Sequence, residues 1–387
     1  MNLLQEAKAI EDVIIADRRH IHQQPELGLD LPQTVAYVKQ RLIEMGYEPE
    51  DCGKGGVVAT IGKPGKTILL RADMDALPMK ECTGLPFCSQ NDWMHSCGHD
   101  THAAMLLGAA KLLKDHEQEL NGTVKLMFQP GEEILGGAKE MVEHGLLENP
   151  HVDAAVGIHI SSTTPCGHID YCNKYCQASA DKFVIKIQGK GGHGAVPEES
   201  IDPINTIAHL LLSLQTINSR EISGRDMAIL TIGHIWGGDK ENIIPDHAMM
   251  EGTVRTYDSK VRNFIKQRIN EISDMVAKTF RCTAQVEWPF GVAPNENDVT
   301  MQNEVVKYVQ NLIGEENVCC VEGSMGSEDF AYVSEKVPSV FLTLGARVND
   351  DSKVFPAHSP FVQFNEDAFY VGAAVYTNTA IQWLKNN

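Results

Sequence analysis

Basic residues are scarce in this chain. Thirty-three Lys and Arg stand against 52 Asp and Glu, a formal charge of −19, and such a field repels phosphate backbones and anionic lipid heads at long range. The expectation is a protein with no nucleic-acid partner and no membrane partner. Long apolar runs are missing too, since none approaches the ~20 residues that a membrane helix needs. In the opening MNLLQEAKAIEDVIIADRR, the charges of Glu6, Lys8, Glu11 and Asp12 interrupt the stretch that a signal peptide keeps apolar. A soluble, cytoplasmic protein is expected. Cysteine is present but dilute, ten residues in 387, and without an export signal reduced thiols are the default. Cys172-x-x-x-Cys176 and Cys319-Cys320 have the residue types for metal binding or redox sensing, yet neither has a second paired cluster at zinc-ribbon spacing. Most of these thiols read as small buried apolar side chains.

What is there suffices for two to three domains with sizeable cores, 43% of residues being hydrophobic and 22% charged. Leu3, Ala7, Ile10 and Ile14 recur at helical spacing, as do Val35, Val38, Leu42 and Met45 before the helix-ending Gly46. Short apolar runs follow at Gly56–Ile61, Thr67–Arg71, Thr123–Phe128 and Ala154–Ile158, separated by helical stretches such as Ala103–Leu113 and Ala138–Glu143. This alternation predicts an α/β fold with a large layered domain whose sheet is covered on both faces. From about Asp181 the order becomes strand Phe183–Gly189, helix Pro203–Asn218, strands Ala228–Ile235 and His247–Tyr257, helix Ser259–Phe280 and strand Thr283–Trp288. That β-α-β-β-α-β order predicts a ferredoxin-like α+β insert. Asp202 before Pro203, and Asp258, are its expected helix caps. The boundaries read as 1–180 for the first part of the large domain, 181–289 for the insert and 290–387 for the second part. The last part is expected to hold helix Met301–Leu312, strand Ser339–Leu344 and a helix from about Asp367 to Trp383.

Ligand-type residues gather where the large-domain strands end: Arg71-Ala-Asp-Met-Asp75, Gln129-Pro-Gly-Glu-Glu133 and Gly157-Ile-His159. In open α/β sheets, ligands bind at the carboxyl ends of strands. The loops Trp93-Met-His-Ser-Cys-Gly-His-Asp-Thr-His102 and Phe355-Pro-Ala-His-Ser-Pro360 add a thiol and more imidazoles. Singly, each motif reads equally as a hydrogen-bonded histidine or a solvated acid pair. Together, one thiolate, three imidazoles and several carboxylates match the mixed donor set that suits Zn, Mn, Co or Ni. Side chains leaving consecutive positions diverge, so Glu132 and Glu133 are expected to divide their labour, one ligating and the other moving protons in metal-assisted hydrolysis.

These residues resemble the co-catalytic metallohydrolases of the aminoacylase and carboxypeptidase superfamily, in the amidohydrolase branch of hippurate hydrolases and indole-acetyl-amino-acid hydrolases. The resemblance spans nearly the whole chain. It rests on Arg18-Arg-His-Ile-His-Gln-Gln-Pro-Glu-Leu-Gly28, Arg71-Ala-Asp-Met-Asp-Ala-Leu-Pro78, His95-Ser-Cys-Gly-His-Asp100, Gln129-Pro-Gly-Glu-Glu133, Gly192-His193, Gly323-Ser-Met-Gly-Ser-Glu-Asp-Phe330 and Ala357-His-Ser-Pro360. It implies two divalent metal ions per subunit bound by Cys97, His99, Glu133, His159 and His358, with Glu132 as general base. Asp73, Asp75, Asp100 and His102 would support them from behind. The implied fold is a catalytic domain with a central mixed sheet, carrying an inserted lid domain that forms a homodimer. His193 matches the family histidine that reaches the neighbouring subunit's site. His20 departs from the pattern, standing where the family more often has an apolar residue.

The implied activity is hydrolysis of an N-acyl amino acid, a small-molecule substrate, to a carboxylate and a free amino acid. Its rivals are dipeptidase or carboxypeptidase action on the same fold and a non-catalytic metal- or redox-responsive protein; storage has no use for a spare base such as Glu132. The resemblance also implies recognition of the substrate's α-carboxylate, for which Asn242, Arg255 and the backbone N–H groups of Gly326 and Ser327 are the candidates. Arg255 has the geometry for bidentate binding, and its alternative is a surface ion pair.

Overall fold

The computed structural model describes residues 2–387. The chain forms two units, one built from the residues up to Cys176 with Glu296–Glu322 and Asp329–Asn387, the other from Gln177–Asn295 with Gly323–Glu328. The expected insert, 181–289, falls inside the second unit, which also takes in the late segment Gly323–Glu328.

In the first unit, eight strands form one mixed sheet in the order Glu50–Asp51, Val57–Gly62, Thr123–Gln129, Thr67–Asp73, Ala154–Ser161, Ser339–Gly345, Ile169–Cys172 and Val318–Val321. Thr123–Gln129, Thr67–Asp73, Ala154–Ser161 and Ser339–Gly345 run parallel. Alternation of side chains explains why these central strands are apolar throughout. Ile68, Leu70, Leu126, Phe128, Val156 and Ile158 face the helical core with Leu106, Ala109 and Tyr376, whereas Leu69, Met127, Ala155 and Phe341 face a second cluster with Met141, Phe330 and Val333. A parallel sheet covered on both faces has no solvated side to leave polar. Helix His99–Asp115 is buried along nearly its whole length, which is why its sequence is Ala- and Leu-rich without an amphipathic stripe.

The second unit has an antiparallel sheet in the order Ala228–Trp236, His247–Thr256, Ala180–Gln188, Thr283–Val292. Phe183, Ile185 and Ile187 point to one face and pack with Leu210 and Leu214 of helix Pro203–Thr216 and Ile265 and Ile269 of helix Ser259–Thr279. Asp202 caps the first helix, accepting from the Ile204 and Asn205 N–H groups, and Asp258 caps the second through Lys260 and Val261. Among the described residues no helix is long and apolar enough to cross a membrane.

Three local expectations change. The segment read as a loop up to His102 turns helical at His99, because Gly98 takes a left-handed φ of 92° at the N-cap and starts the helix there. The strand expected to end at Ile158 continues to Ser161, held by pairing with Ser339–Gly345, so His159 lies within a strand instead of after one. Helix Pro203–Asn218 gives way after Thr216 to a wider turn over Ile217–Glu221.

Candidate metal centre

Strand ends and one helix N-terminus bring the ligand-type residues of the first unit together. Thr67–Asp73 delivers Asp73 and, just beyond, Asp75; Thr123–Gln129 leads into Glu132 and Glu133; Ala154–Ser161 supplies His159; Cys97 and His99 flank Gly98 at the start of the long helix. The donor atoms of Cys97, His99 and His159 lie within 4.8 Å of one another, and so do those of Cys97, Glu133 and His358. Cys97 Sγ is 3.4 Å from His159 Nε2, and His358 Nε2 is 3.4 Å from Glu133 Oε1. Cys97 therefore stands where the two donor groups overlap.

Hydrogen bonds decide which imidazoles have a nitrogen to offer. His159 Nδ1 lies 2.7 Å from the Ile160 carbonyl oxygen. A carbonyl only accepts, so Nδ1 carries a proton, and in the neutral ring Nε2 has the lone pair and faces Cys97. His102 is spent at both ends: Nε2 accepts from the Ile160 N–H at 2.8 Å and Nδ1 donates to Asp73. The grouping of Asp73, His99 and His102 thus lacks an imidazole lone pair from His102, which acts as a strut. His99 is fully buried and neither ring nitrogen makes a hydrogen bond of good geometry. Buried polar atoms without partners are costly. A soft thiolate, unpartnered imidazole nitrogens and a carboxylate are the donor chemistry of a divalent transition metal, and the residues fit such ions.

Glu132 and Glu133 do not diverge as the adjacency argument expected. Glu132 Oε2 and Glu133 Oε1 lie 4.0 and 3.9 Å from His99 Nε2. The tight turn after Gly131, φ 62°, brings both carboxylates to one side, and Asp75 holds that turn. Its two oxygens accept the N–H groups of Glu132 and Glu133 at 2.9 and 3.1 Å, and Oδ1 also lies 3.3 Å from His99 Nδ1. His358 meets Glu133 and shares a donor group with it and Cys97. His358 itself adopts φ 65°, and its N–H donates to the Ser96 carbonyl at 3.0 Å. Left-handed backbone at a histidine is strained and is held here by the docked loop.

The electrostatics are those of a charge-dense pocket. Burial disfavours the Cys97 thiolate, yet His159 and His99 bring its pKa down to about 6. Burial likewise opposes charge on His159, but Cys97 draws it up to about 9. His358 rises to about 10 through its hydrogen bonds to Cys97 and Glu133. Against burial, Arg71 and the neighbouring histidines keep Asp73 well below the usual carboxylate range.

Two buried networks under the site contain the expected supports Asp73 and Asp100, and their partners were not read from the sequence. Arg71, fully buried, pairs with Asp73 at 2.8 Å, donates to Gln129 at 2.8 Å and reaches Asp329 at 3.4 Å; Asp329 in turn accepts the Ala138 N–H at 2.9 Å. Tyr376 donates to the Arg71 carbonyl at 2.6 Å and accepts from the Ile158 N–H at 2.9 Å, joining two strands from the C-terminal helix. In the second network, Arg18 and His22 bind Asp100 at 2.7 and 2.8 Å, and His22 also meets Glu81 at 3.2 Å. The signal available for this one is an Arg and a His one helical turn apart, with an acid directly after a ligand-type histidine.

The remaining candidates lie in the second unit and form two groupings. Gly192–His193 pairs with Ile243–Ile244, and the Gly194 N–H donates to the Asn242 carbonyl at 2.9 Å, so His193 and Asn242 share one ribbon. Arg255 Nη1 donates to Ser327 Oγ at 3.0 Å, and the Gly326 carbonyl accepts from the Ala178 N–H at 2.8 Å. Ser327 thereby lies against Arg255, and Gly326 is tied to the segment just before strand Ala180–Gln188.

The chain is similar to several known proteins. N-acetyl-L-cysteine deacetylase of Bacillus subtilis is 38% identical over 384 residues, 98% of this chain and 90% of that protein. Thermostable carboxypeptidase 2 of Saccharolobus solfataricus is 38% identical over 390 residues, 98% of each chain. Among solved structures, the Bacillus subtilis YXEP protein, described as a dinuclear metal binding peptidase, superposes with a TM-score of 0.84 at 33% identity, covering 98% of this chain and 100% of that one. The pattern of peptidase family M20/M25/M40 matches residues 69–382, and the chain belongs to that family.

Proposed function

We propose that this protein hydrolyses the amide bond of N-acyl amino acids, using a pair of divalent ions held by Cys97, His99, Glu133, His159 and His358. The observation that carries the reading is the overlap of two donor groups at Cys97 with a second glutamate, Glu132, beside them. Zn, Mn, Co and Ni all suit that donor set. When bound, such ions act as Lewis acids that lower the pKa of water and polarise a carbonyl. Glu132 accepts the proton of the attacking water and passes it to the departing nitrogen. Asp75 keeps that carboxylate in place by holding its backbone.

His193 is suited to donate to the developing oxyanion. Its Nδ1 accepts the Ala195 N–H at 3.1 Å, so in the neutral ring Nε2 bears the proton. Arg255 is suited to pair with the substrate's α-carboxylate, with Asn242 and the N–H groups of Gly326 and Ser327 as further donors. We place a homodimer interface on the second unit. Its edge strand Ala228–Trp236 exposes Ile229 and Ile235, and such an edge can pair across a two-fold axis. His193 then acts in the partner's site.

A carboxypeptidase or dipeptidase is the second reading, supported by the Saccharolobus relative. Both readings share an acyl group on the nitrogen of an amino acid and differ only in that acyl group. The test is a panel of N-acetyl, N-benzoyl and indole-acetyl amino acids and dipeptides, each as free acid and as carboxamide, assayed before and after chelation. Turnover of the acids should disappear with chelator and return with metal. The carboxamides should lose about tenfold or more in kcat/KM, because the donors for the anion are left unpaired. Equal rates for acid and amide contradict carboxylate recognition, and full activity in a metal-free enzyme contradicts the mechanism.

A further inference from the structure

The thiols of Cys172 and Cys176 have no part in the metal centre and stand outside every group of three or more metal donors found among the described residues. Strand Ile169–Cys172 ends at the first thiol, a two-residue turn follows with Lys174 at φ 73°, and strand Tyr175–Gln177 carries the second. Cys176 is buried beside Phe330 and Phe341, and Cys172 packs against the same cluster from a partly exposed position. Asn297 fixes the neighbourhood, its Nδ2 donating to the carbonyls of Cys172 and Phe341 at 3.2 and 3.3 Å. The two thiols thus flank one tight turn and pack into the same apolar cluster. Directly after Cys176 the chain leaves the first unit for the second.

We infer that Cys172 and Cys176 form a reversible disulfide when the enzyme meets a hydroperoxide. Cys172 is the attacking thiol because it is the more accessible of the two. Its thiolate displaces the leaving oxygen of the peroxide as alcohol or water and becomes a sulfenic acid. The Cys176 sulfur then attacks that sulfur and expels water. Two thiols are oxidised by two electrons, one O–O bond is reduced, and one S–S bond of ~2.05 Å forms. The electrostatics agree: hydrogen bonding from Cys176 lowers the pKa of Cys172, and giving that bond, together with burial, raises that of Cys176. A partly exposed attacker with a lowered pKa beside a buried resolving thiol is the arrangement that thiol oxidation selects. The new bond tethers the crossing segment to the end of a sheet strand.

The test uses metal-loaded, full-length enzyme treated with hydrogen peroxide, denatured in alkylating agent and digested with trypsin. Lys174 lies between the two cysteines, so cleavage there leaves two peptides joined only by the disulfide. The expected result is this linked pair, two of the ten thiols lost, and both recovered with dithiothreitol. Cys176→Ser should instead leave Cys172 as a sulfenic acid trapped by dimedone, and Cys172→Ser should leave Cys176 alkylatable. Cys172 and Cys176 remaining fully alkylatable while Cys97, Cys319 or Cys320 is consumed overturns the proposal, as does a disulfide that joins either of them to another cysteine.

Discussion

Asp75 holds three parts of the centre with one carboxylate: the N–H groups of Glu132 and Glu133 and the ring of His99. Asp75→Asn keeps the shape but replaces one acceptor oxygen by a donor, which opposes an N–H of the turn. Metal affinity should fall by about 10- to 100-fold, the range found for groups that orient ligands, as measured by competition with a chromophoric chelator. Unchanged affinity shows that the turn holds itself. A second residue-scale prediction concerns pH. Glu81 is partly shielded, which opposes its charge, yet His22 and the Ser89 N–H bring its pKa down to about 2. A depressed carboxylate contributes stability above its unfolded value near 4.5 and loses it as pH falls toward 2. His22 has the opposite sign. Burial and Arg18 work against its charge, but Asp100 and Glu81 prevail and raise its pKa. Its contribution is complete below about 6.5 and lost as pH rises through the folded value. Glu81→Gln should therefore flatten the acid limb of Tm against pH between about 5 and about 2, and also reduce Tm at pH 6, where His22 loses a partner. Parallel curves for the two proteins contradict this assignment.

At the scale of elements, Gly98 is where helix geometry and ligand geometry coincide. It has φ 92°, and a Cβ there would stand 2.4 Å from Ile160 Cγ2 and about 3 Å from the Phe364 ring. Gly98→Ala should cost about 1–3 kcal/mol from the backbone alone, read as a fall in denaturant midpoint, with weaker metal binding because Cys97 and His99 flank the change. Stability and metal affinity equal to wild type would show that the helix start tolerates another backbone. The donor residues that the structure gathers, Cys97, His99, Glu133, His159 and His358, were legible because each belongs to a short motif, and the large strands because their apolar character is continuous. Strands Ile169–Cys172 and Val318–Val321 were not, since Ile-Asp-Tyr-Cys and Val-Cys-Cys-Val show neither an apolar run nor clean alternation. Sheet pairing, with Val318 opposite Ile169, defines them, and such context outweighs strand propensity. Arg71 and Asp329 escaped for a related reason, because they meet across 258 positions of sequence and no local spacing announces that pairing.

At the scale of the whole molecule, the proposed dimer puts His193 and Glu132 of one catalytic site on different chains. Glu132→Gln and His193→Ala homodimers should each be inactive, and subunit exchange between them should restore activity in the mixed dimer, which retains one site with both groups intact. A mixture as inactive as its parents, with exchange verified by mass, contradicts catalysis in trans. The central claim, metal-supported amide hydrolysis with Glu132 carrying the proton, is tested most directly by one paired measurement on Glu132→Gln: metal content and kcat on the same preparation. The amide keeps the size of the side chain and cannot take up a proton, so metal content should match wild type while kcat falls by about 10²- to 10⁴-fold, the share that general acid–base catalysis supplies. Turnover near the wild-type value with metal fully bound would contradict the account.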